Sequence, residues 1–187
     1  YLGDDKCPRC QGVDKAVLFA DEVTLVRNHL KTRNRELWLW ADRFLDGRAT
    51  GIGFWEASYN YTYRAIDMVP KDIVMCDWHY ERPDQTAIYF ALKGFRVITC
   101  PWRTPSTAEI QTEDMAKYVK YATPEMKPRY YGMMQTCWTS TEGFIDGFYG
   151  TVNNRNQRAV HPKNSAWTPW DTFRAMYKKM DEIEAIR

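Results

Sequence analysis

Four short apolar runs alternate along the chain with stretches of helical periodicity. The runs cover residues 37–40, 73–78, 97–102 and 132–138, and each of them ends in a tryptophan. They are rich in Val, Ile, Leu, Met or Cys and are bounded by polar or turn residues, which is typical of strands buried on both faces. Strands that alternate with helices predict right-handed parallel βαβ units. The pattern therefore predicts an α/β fold in which ligands bind beyond the carboxyl ends of the strands.

Periodicity, capping residues and breakers place the individual elements. We predict strands over 36–41, 72–77, 96–100 and 130–137, and helices over 14–31, 61–68, 83–94, 112–122 and from Thr168 onward. The first helix should bury the stripe Phe19, Val23, Val26 and Leu30, and the last helix Phe173, Met176, Tyr177, Met180 and Ile183. Glycines punctuate the segment 142–150. No low-complexity segment divides the chain.

The spacing of the strand-end tryptophans indicates a larger architecture. They lie at positions 40, 78, 102 and 138, a spacing close to the strand–helix unit of an eightfold (β/α)8 barrel, also called a TIM barrel. A closed barrel needs about 200 residues or more, and an open four-stranded sheet would leave strand edges to be covered. We therefore expect residues 1–187 to form a single domain that is about half of a larger barrel.

The composition narrows the class of ligand. The chain has 44% apolar and 27% charged residues and a net charge of +2, and no helix carries a cluster of Lys and Arg. This is not the basic surface that nucleic acid requires, so we predict no nucleic-acid partner. No apolar run approaches the roughly 20 residues of a membrane span and no signal peptide opens the sequence, so we predict no membrane contact.

Aromatic residues are the most unusual part of the composition. The chain has 8 Trp and 12 Tyr among 187 residues, and such rings suit interfaces and ligand clefts because they cover C–H faces while offering one polar edge. In a parallel sheet the four strand-end tryptophans would lie on one rim. A carbohydrate is the ligand that this rim predicts, and the alternative is that each tryptophan belongs to the core.

The five cysteines fall into two groups. Cys76, Cys100 and Cys137 lie in predicted strands, where we expect them to be small buried hydrophobes. Cys7 and Cys10 form a Cys-x-x-Cys motif, which suits half of a zinc site, a redox pair or a local disulfide. Because one pair supplies only two of the four zinc ligands and does not open a helix, we predict a structural role, no metal and no cofactor.

Several of these segments resemble a known enzyme family. The stretches 37–42 (LWLWAD), 76–80 (CDWHY), 94–97 (GFRV) and 137–139 (CWT) look like the C-terminal half of the catalytic barrel in glycoside hydrolase family 20 and its bacterial relatives. The likeness spans nearly the whole chain. It implies a glycoside hydrolase of the β-N-acetylhexosaminidase type, with the N-terminal half of the barrel as partner. The resemblance leaves the bacterial periplasm and the cytoplasm open as compartments.

The resemblance also implies where the chemistry lies. In that family an Asp–Glu pair carries the reaction, with Glu as general acid and Asp orienting the 2-acetamido group of the substrate as nucleophile. Asp4 and Asp5 are the nearby match, with Asp where Glu is expected. The other interpretation is that the pair precedes Tyr1, because no strand-like run comes before Asp4. We therefore expect this chain by itself to be inactive.

The sugar pocket implied by the resemblance involves ten residues. They are Trp40, Asp42, Asp77, Trp78, His79, Tyr80, Trp102, Arg103, Trp138 and Glu142. The tryptophans would wall the pocket, and the Asp side chains would accept hydroxyl hydrogen bonds. His79 and Tyr80 would hydrogen-bond a hydroxyl or the ring oxygen, and Arg103 would hold a carboxylate or an acidic partner. His79 has a second interpretation as a structural histidine, and Glu142 is displaced from the family pattern. The competing function is a non-catalytic carbohydrate-binding or structural barrel that lacks the acid pair.

Overall fold

The computed structural model describes residues 7–151 and 167–185. Its α-helices are α1 (Lys15–Lys31), α2 (Gly47–Thr50), α3 (Thr86–Leu92), α4 (Pro105–Tyr121), α5 (Thr141–Tyr149) and α6 (Pro169–Glu184). Its strands are β1 (Trp38–Trp40), β2 (Val74–Asp77), β3 (Arg96–Thr99) and β4 (Tyr130–Met133). Short 3₁₀ helices cover Ala41–Phe44, Thr62–Asp67 and Lys127–Arg129. No helix in this described part of the chain is both long and apolar enough to cross a membrane.

The sheet has the parallel arrangement that the alternation of strands and helices predicts. Within the described residues, four parallel strands follow the order β1-β2-β3-β4. In the register of β1 and β2, Trp38 pairs with Val74 and Trp40 with Cys76. All four residues of β2 are buried, whereas both tryptophans of β1 are exposed. The α/β class is therefore confirmed, and β2 is the doubly buried strand that its apolar run indicates.

The described residues form two compact units. The first takes in residues 7–78 and 89–97, and the second residues 79–88, 98–151 and 167–185. In the first unit, α1 packs on the 3₁₀ helix Thr62–Asp67, and the core includes Phe19, Phe44, Ile73 and Phe95. In the second unit, α6 packs against α4 and α5.

Helix α1 begins at Lys15, next to the predicted start at residue 14, and Asp14 caps it. The Asp14 carboxylate accepts a hydrogen bond from the Ala16 backbone N–H at 2.8 Å, and the Arg64 guanidinium pairs with the same carboxylate. Phe19 and Val23 are buried as expected, but Val26 is exposed, so its predicted burial is wrong. Leu30 is half-buried, and the fully buried residues of α1 lie in its first half, the last of them being Val23.

Helix α4 begins at Pro105, earlier than the predicted start at Thr112. Pro105 occupies the first turn, where its fixed φ favours the helix and its missing N–H costs nothing. The buried face of this helix contains Thr107, Gln111 and Thr112, and each makes a side-chain hydrogen bond to a backbone carbonyl. Buried polar residues such as these hide the apolar period on which the sequence prediction depends.

Helix α6 confirms the predicted start at Thr168. The Thr168 hydroxyl and the Asp171 carboxylate cap each other's backbone N–H groups, and Pro169 follows the cap. Met176 is buried, but Tyr177 is exposed, so that part of the predicted stripe is wrong. A helix that covers only one side of a unit buries a narrower stripe than its full set of apolar residues.

Strand β4 is shorter than predicted, but the segment that follows it keeps two backbone hydrogen bonds to the chain at and after the end of β3. The Met134 N–H bonds to the Thr99 carbonyl and the Thr136 N–H to the Pro101 carbonyl, both at 2.9 Å. Cys76 and Cys100 are buried as expected, whereas Cys137 is exposed, so the predicted burial of Cys137 is wrong. Cys137 lies beyond the last of these backbone hydrogen bonds, where the chain leaves the sheet.

Candidate functional site

The first unit fixes a tryptophan at the end of β2. The Trp78 indole N–H donates to Asp42 Oδ1 at 3.0 Å, and Asp42 lies in the 3₁₀ helix directly after β1. The other oxygen of this carboxylate pairs with the guanidinium of Arg43. Trp40 precedes the same 3₁₀ helix and is 37% exposed. We call these four residues, Trp40, Asp42, Arg43 and Trp78, the first-unit cluster.

The Asp42 carboxylate is held by two protein donors, and its expected role in hydroxyl binding stays a prediction. Both of its oxygens already accept hydrogen bonds from protein groups, and its side chain is largely covered. Each carboxylate oxygen has a second lone pair, so a ligand hydroxyl can still bind. In the structure, the carboxylate fixes the indole N–H of Trp78.

Arg43 joins this cluster to an exposed loop. Its Nη2 donates to the carbonyls of Phe54 and Trp55 at 3.2 and 2.8 Å, while its Nε pairs with Asp42. Sequence analysis missed Arg43 and Phe54 as site residues. The direct succession of Asp42 and Arg43 after a strand was the only local signal for Arg43, and nothing in the sequence showed that Phe54 would stay exposed.

The second unit fixes another tryptophan after β4. The Trp138 indole N–H donates to the phenol oxygen of Tyr80 at 2.6 Å. Tyr80 is buried and meets the Trp102 ring edge-on, with 5.2 Å between the ring centroids. Trp138 itself is 56% exposed. The hydrogen bond to the Tyr80 hydroxyl therefore fixes an indole ring that is exposed to solvent.

Charged groups border these rings. The Arg103 guanidinium lies over the Trp102 ring, 4.7 Å from its centroid, and its Nε donates to Glu81 Oε1 at 3.0 Å. Trp102 Nε1 is buried and has no hydrogen-bond partner among the described residues. We call Tyr80, Glu81, Trp102, Arg103 and Trp138 the second-unit cluster.

His79 and Asp77 lie deeper than the other candidate residues. His79 is fully buried, with Nε2 at 2.7 Å from the Thr86 hydroxyl and its carbonyl accepting from Gln111 Nε2 at 3.0 Å. These contacts favour the interpretation as a structural histidine. Asp77, at the end of β2, is 1% exposed. Roles of these two side chains in hydroxyl binding stay predictions.

The remaining candidates lie elsewhere. Glu142 is exposed in the first turn of α5. Asp4 and Asp5, the candidate catalytic pair, lie outside the described residues. Cys7 and Cys10 are half-buried in a single helical turn, in which the Gln11 N–H bonds to the Cys7 carbonyl at 3.1 Å. Across residues 7–151 and 167–185, no group of three or more His, Cys, Asp or Glu side chains is placed to hold a metal ion.

No protein-family model and no curated protein matches this sequence.

Proposed function

We propose that this chain binds carbohydrate and supplies the sugar-binding half of a glycoside hydrolase that acts on N-acetylhexosaminide-type sugars. In this proposal the parallel strands belong to a (β/α)8 barrel, and the N-terminal half of that barrel is the partner. The sequence resemblance to glycoside hydrolase family 20 supports the substrate class. The geometry of the two clusters supports sugar binding.

One observation carries the proposal, and it recurs in both units. A tryptophan that follows a strand has its indole N–H fixed by a hydrogen bond, from Trp78 to Asp42 at 3.0 Å and from Trp138 to Tyr80 at 2.6 Å. An indole that is held by its polar edge presents a flat apolar face in one orientation. Because the rotamer is fixed before the ligand arrives, binding loses less side-chain entropy.

The polar groups around the rings suit a ligand that carries many hydroxyl groups. Asp42 lies beside Arg43 in the first-unit cluster, and Glu81 lies beside Arg103 in the second. Carboxylates accept hydroxyl hydrogen bonds and guanidinium groups donate them. A few polar groups around an apolar face are the usual composition of a small-molecule site.

The same ion pairs bear on catalysis. Asp42 and Glu81 are each paired with an arginine, and neither cluster brings together the Asp–Glu pair that the resemblance implies. This supports the proposal that the chain alone is inactive and that its catalytic pair is contributed from elsewhere in the barrel, with Asp4 and Asp5 as the candidates within this sequence.

The test is a titration of the purified chain with N-acetylglucosamine, followed by isothermal calorimetry and by tryptophan fluorescence. We expect saturable binding and a fluorescence change that is reduced in Trp138→Ala. Tyr121→Ala, which removes an exposed ring at the end of α4, is the matched control and should bind like the wild type. Absence of saturable binding would overturn the proposal.

A parallel assay measures hydrolysis of an aryl N-acetylhexosaminide by the same preparation. We expect no turnover, because a general acid contributes roughly a hundredfold or more to the rate. Robust turnover that is lost in Asp5→Ala would instead identify Asp4 and Asp5 as the acid pair. Sugar binding without turnover, also in the presence of the N-terminal half of the barrel, would favour the non-catalytic carbohydrate-binding protein.

A further inference from the structure

We propose that Phe54 and Trp55 form a second aromatic subsite next to the first-unit cluster, so that the ligand is an oligosaccharide of at least two sugar rings. This inference rests on the proposed function, because it extends the same sugar-binding site. It assigns a role to a loop that neither the sequence resemblance nor the strand-end pattern includes.

The two rings stand at the tip of a tight turn. The Glu56 N–H bonds to the Gly53 carbonyl at 3.0 Å, which places Phe54 and Trp55 at the two central positions of the turn. Phe54 is 58% and Trp55 69% exposed. Their rings meet edge to face, with 5.8 Å between the centroids. The turn therefore presents two large aromatic side chains to the solvent.

The base of the loop is packed and hydrogen-bonded. Ile52, Ala57 and Ser58 are buried. The Tyr59 hydroxyl donates to the Ile52 carbonyl at 2.6 Å, and the Ser58 N–H donates to the Leu45 carbonyl at 2.8 Å. These bonds and buried residues hold the backbone on both sides of the tip, so the two rings extend from an ordered turn.

Arg43 connects the tip to the proposed sugar site. One guanidinium group donates to the Phe54 and Trp55 carbonyls and also pairs with Asp42, which in turn holds Trp78. One guanidinium group therefore bridges the backbone of the tip and the carboxylate of the cluster. In this proposal, a sugar chain that contacts Trp78 reaches the tip with its next ring.

The link through Arg43 between the tip and the first-unit cluster indicates which ligand would occupy the subsite. Two exposed aromatic rings on a rigid turn lose hydrophobic stabilisation unless a ligand covers them. The ion pair of Asp42 and Arg43 borders the path between the two aromatic surfaces, and it offers both acceptors and donors. A polyhydroxylated chain with apolar C–H faces satisfies the rings and the ion pair together.

The experiment compares N-acetylglucosamine with its β-1,4-linked disaccharide, N,N′-diacetylchitobiose, as calorimetric ligands for the full 187-residue chain. We expect the disaccharide to bind more tightly than the monosaccharide. Trp55→Ala should weaken disaccharide binding about tenfold, the size of one aromatic stacking contact, and leave monosaccharide binding unchanged. Trp55→Phe should restore most of the difference, because it keeps a ring at the turn.

Tyr121→Ala is the matched control, since it removes another exposed ring far along the sequence and should change neither affinity. If both sugars bind and Trp55→Ala leaves their affinity ratio unchanged, the second subsite is wrong while the proposed function stands. If neither sugar binds to the folded chain, both proposals are overturned. A partner protein or lipid vesicle that binds through Trp55 in place of any sugar would also contradict the subsite.

Discussion

Trp78 in the first unit and Trp138 in the second are both held by the indole N–H, but their acceptors differ in kind. Trp78 donates to Asp42, a carboxylate that is itself paired with Arg43. Trp138 donates to the phenol oxygen of Tyr80, which is neutral and buried against Trp102. A charged acceptor therefore holds the Trp78 indole, whereas the acceptor for Trp138 is a phenol whose ring is packed against Trp102.

This difference predicts different sensitivities. An anchor built on an ion pair depends on ionic strength and on every group that the arginine contacts, here including the loop at Phe54 and Trp55. An anchor built on a phenol depends on the packing of its ring. Trp138 is also the more exposed of the two indoles, so a water molecule can accept from its N–H group if Tyr80 does not.

The largest expected effect comes from overpacking the loop that supports the first-unit cluster. A methyl group at Gly47 would lie 2.2 Å from the Tyr59 ring, so Gly47→Ala has to displace that ring and the hydrogen bond that it makes to Ile52. We expect a loss of about 3 kcal/mol in the free energy of unfolding, measured by urea denaturation. Gly53→Ala is the control, because its methyl group would meet nothing within 4 Å. Equal stabilities of the two variants would show that the loop is not packed as described.

The second prediction concerns the indoles themselves. Trp78→Ala and Trp138→Ala should each weaken sugar binding by about 1 to 3 kcal/mol through lost stacking and apolar burial. Trp78→Ala should also lower the free energy of unfolding more than Trp138→Ala, because Trp78 is better covered. Calorimetry on variants shown to be folded by circular dichroism measures the affinities. Unchanged affinities would assign both tryptophans to structure alone.

The third prediction separates the two kinds of anchor. Asp42→Asn keeps an acceptor for Trp78 but removes the ion pair with Arg43, whereas Tyr80→Phe keeps the ring and removes the acceptor for Trp138. Each should cost about 1 kcal/mol of stability. The cost of Asp42→Asn should shrink at about 1 M salt, where the Debye length is about 3 Å. The cost of Tyr80→Phe should stay constant, and an equal salt response of both variants would contradict the distinction.

The smallest effect is a pH dependence in the first unit. The hydrogen bond from Arg27 holds the pKa of Asp72 below its ordinary value of 3.8. A lowered pKa in the folded state stabilises the fold above the ordinary value, and this contribution is lost as the pH falls through the folded pKa. Urea midpoints of the wild type should therefore fall more steeply below about pH 4 than those of Asp72→Asn. The pair is exposed, so the difference will be small, and parallel curves would show that the pair contributes nothing.

Much of the fold could be predicted because its signals are local. The Asp14 cap of α1 and the capping box at Thr168 lie within a few residues of the helices that they begin. The apolar run of β2 indicates a buried parallel strand, and the structure has one. The start of α4 was missed because Thr107 and Gln111 are buried polar residues with partners on a distant segment, the backbone at Glu81 and His79.

The candidate site could be predicted only in its residue types. Aromatic side chains after strands are visible in the sequence, but their exposure is not, as Cys137 shows for a neighbouring position that was expected to be buried. The roles of Arg43 and Phe54 depend on a loop that folds back over eleven residues. No pattern of hydrophobic period or capping reports such a contact.

The sequence by itself determined the alternation of the four strands with helices and the start of the last helix at Thr168, because these follow from the preferences of neighbouring residues. Only the tertiary structure decided which indoles are anchored and by what. The bond from Trp78 to Asp42 joins residues 36 positions apart, and that from Trp138 to Tyr80 joins residues 58 positions apart. Hydrogen bonds over such separations form only after the intervening elements have packed, so the site is a property of the folded chain.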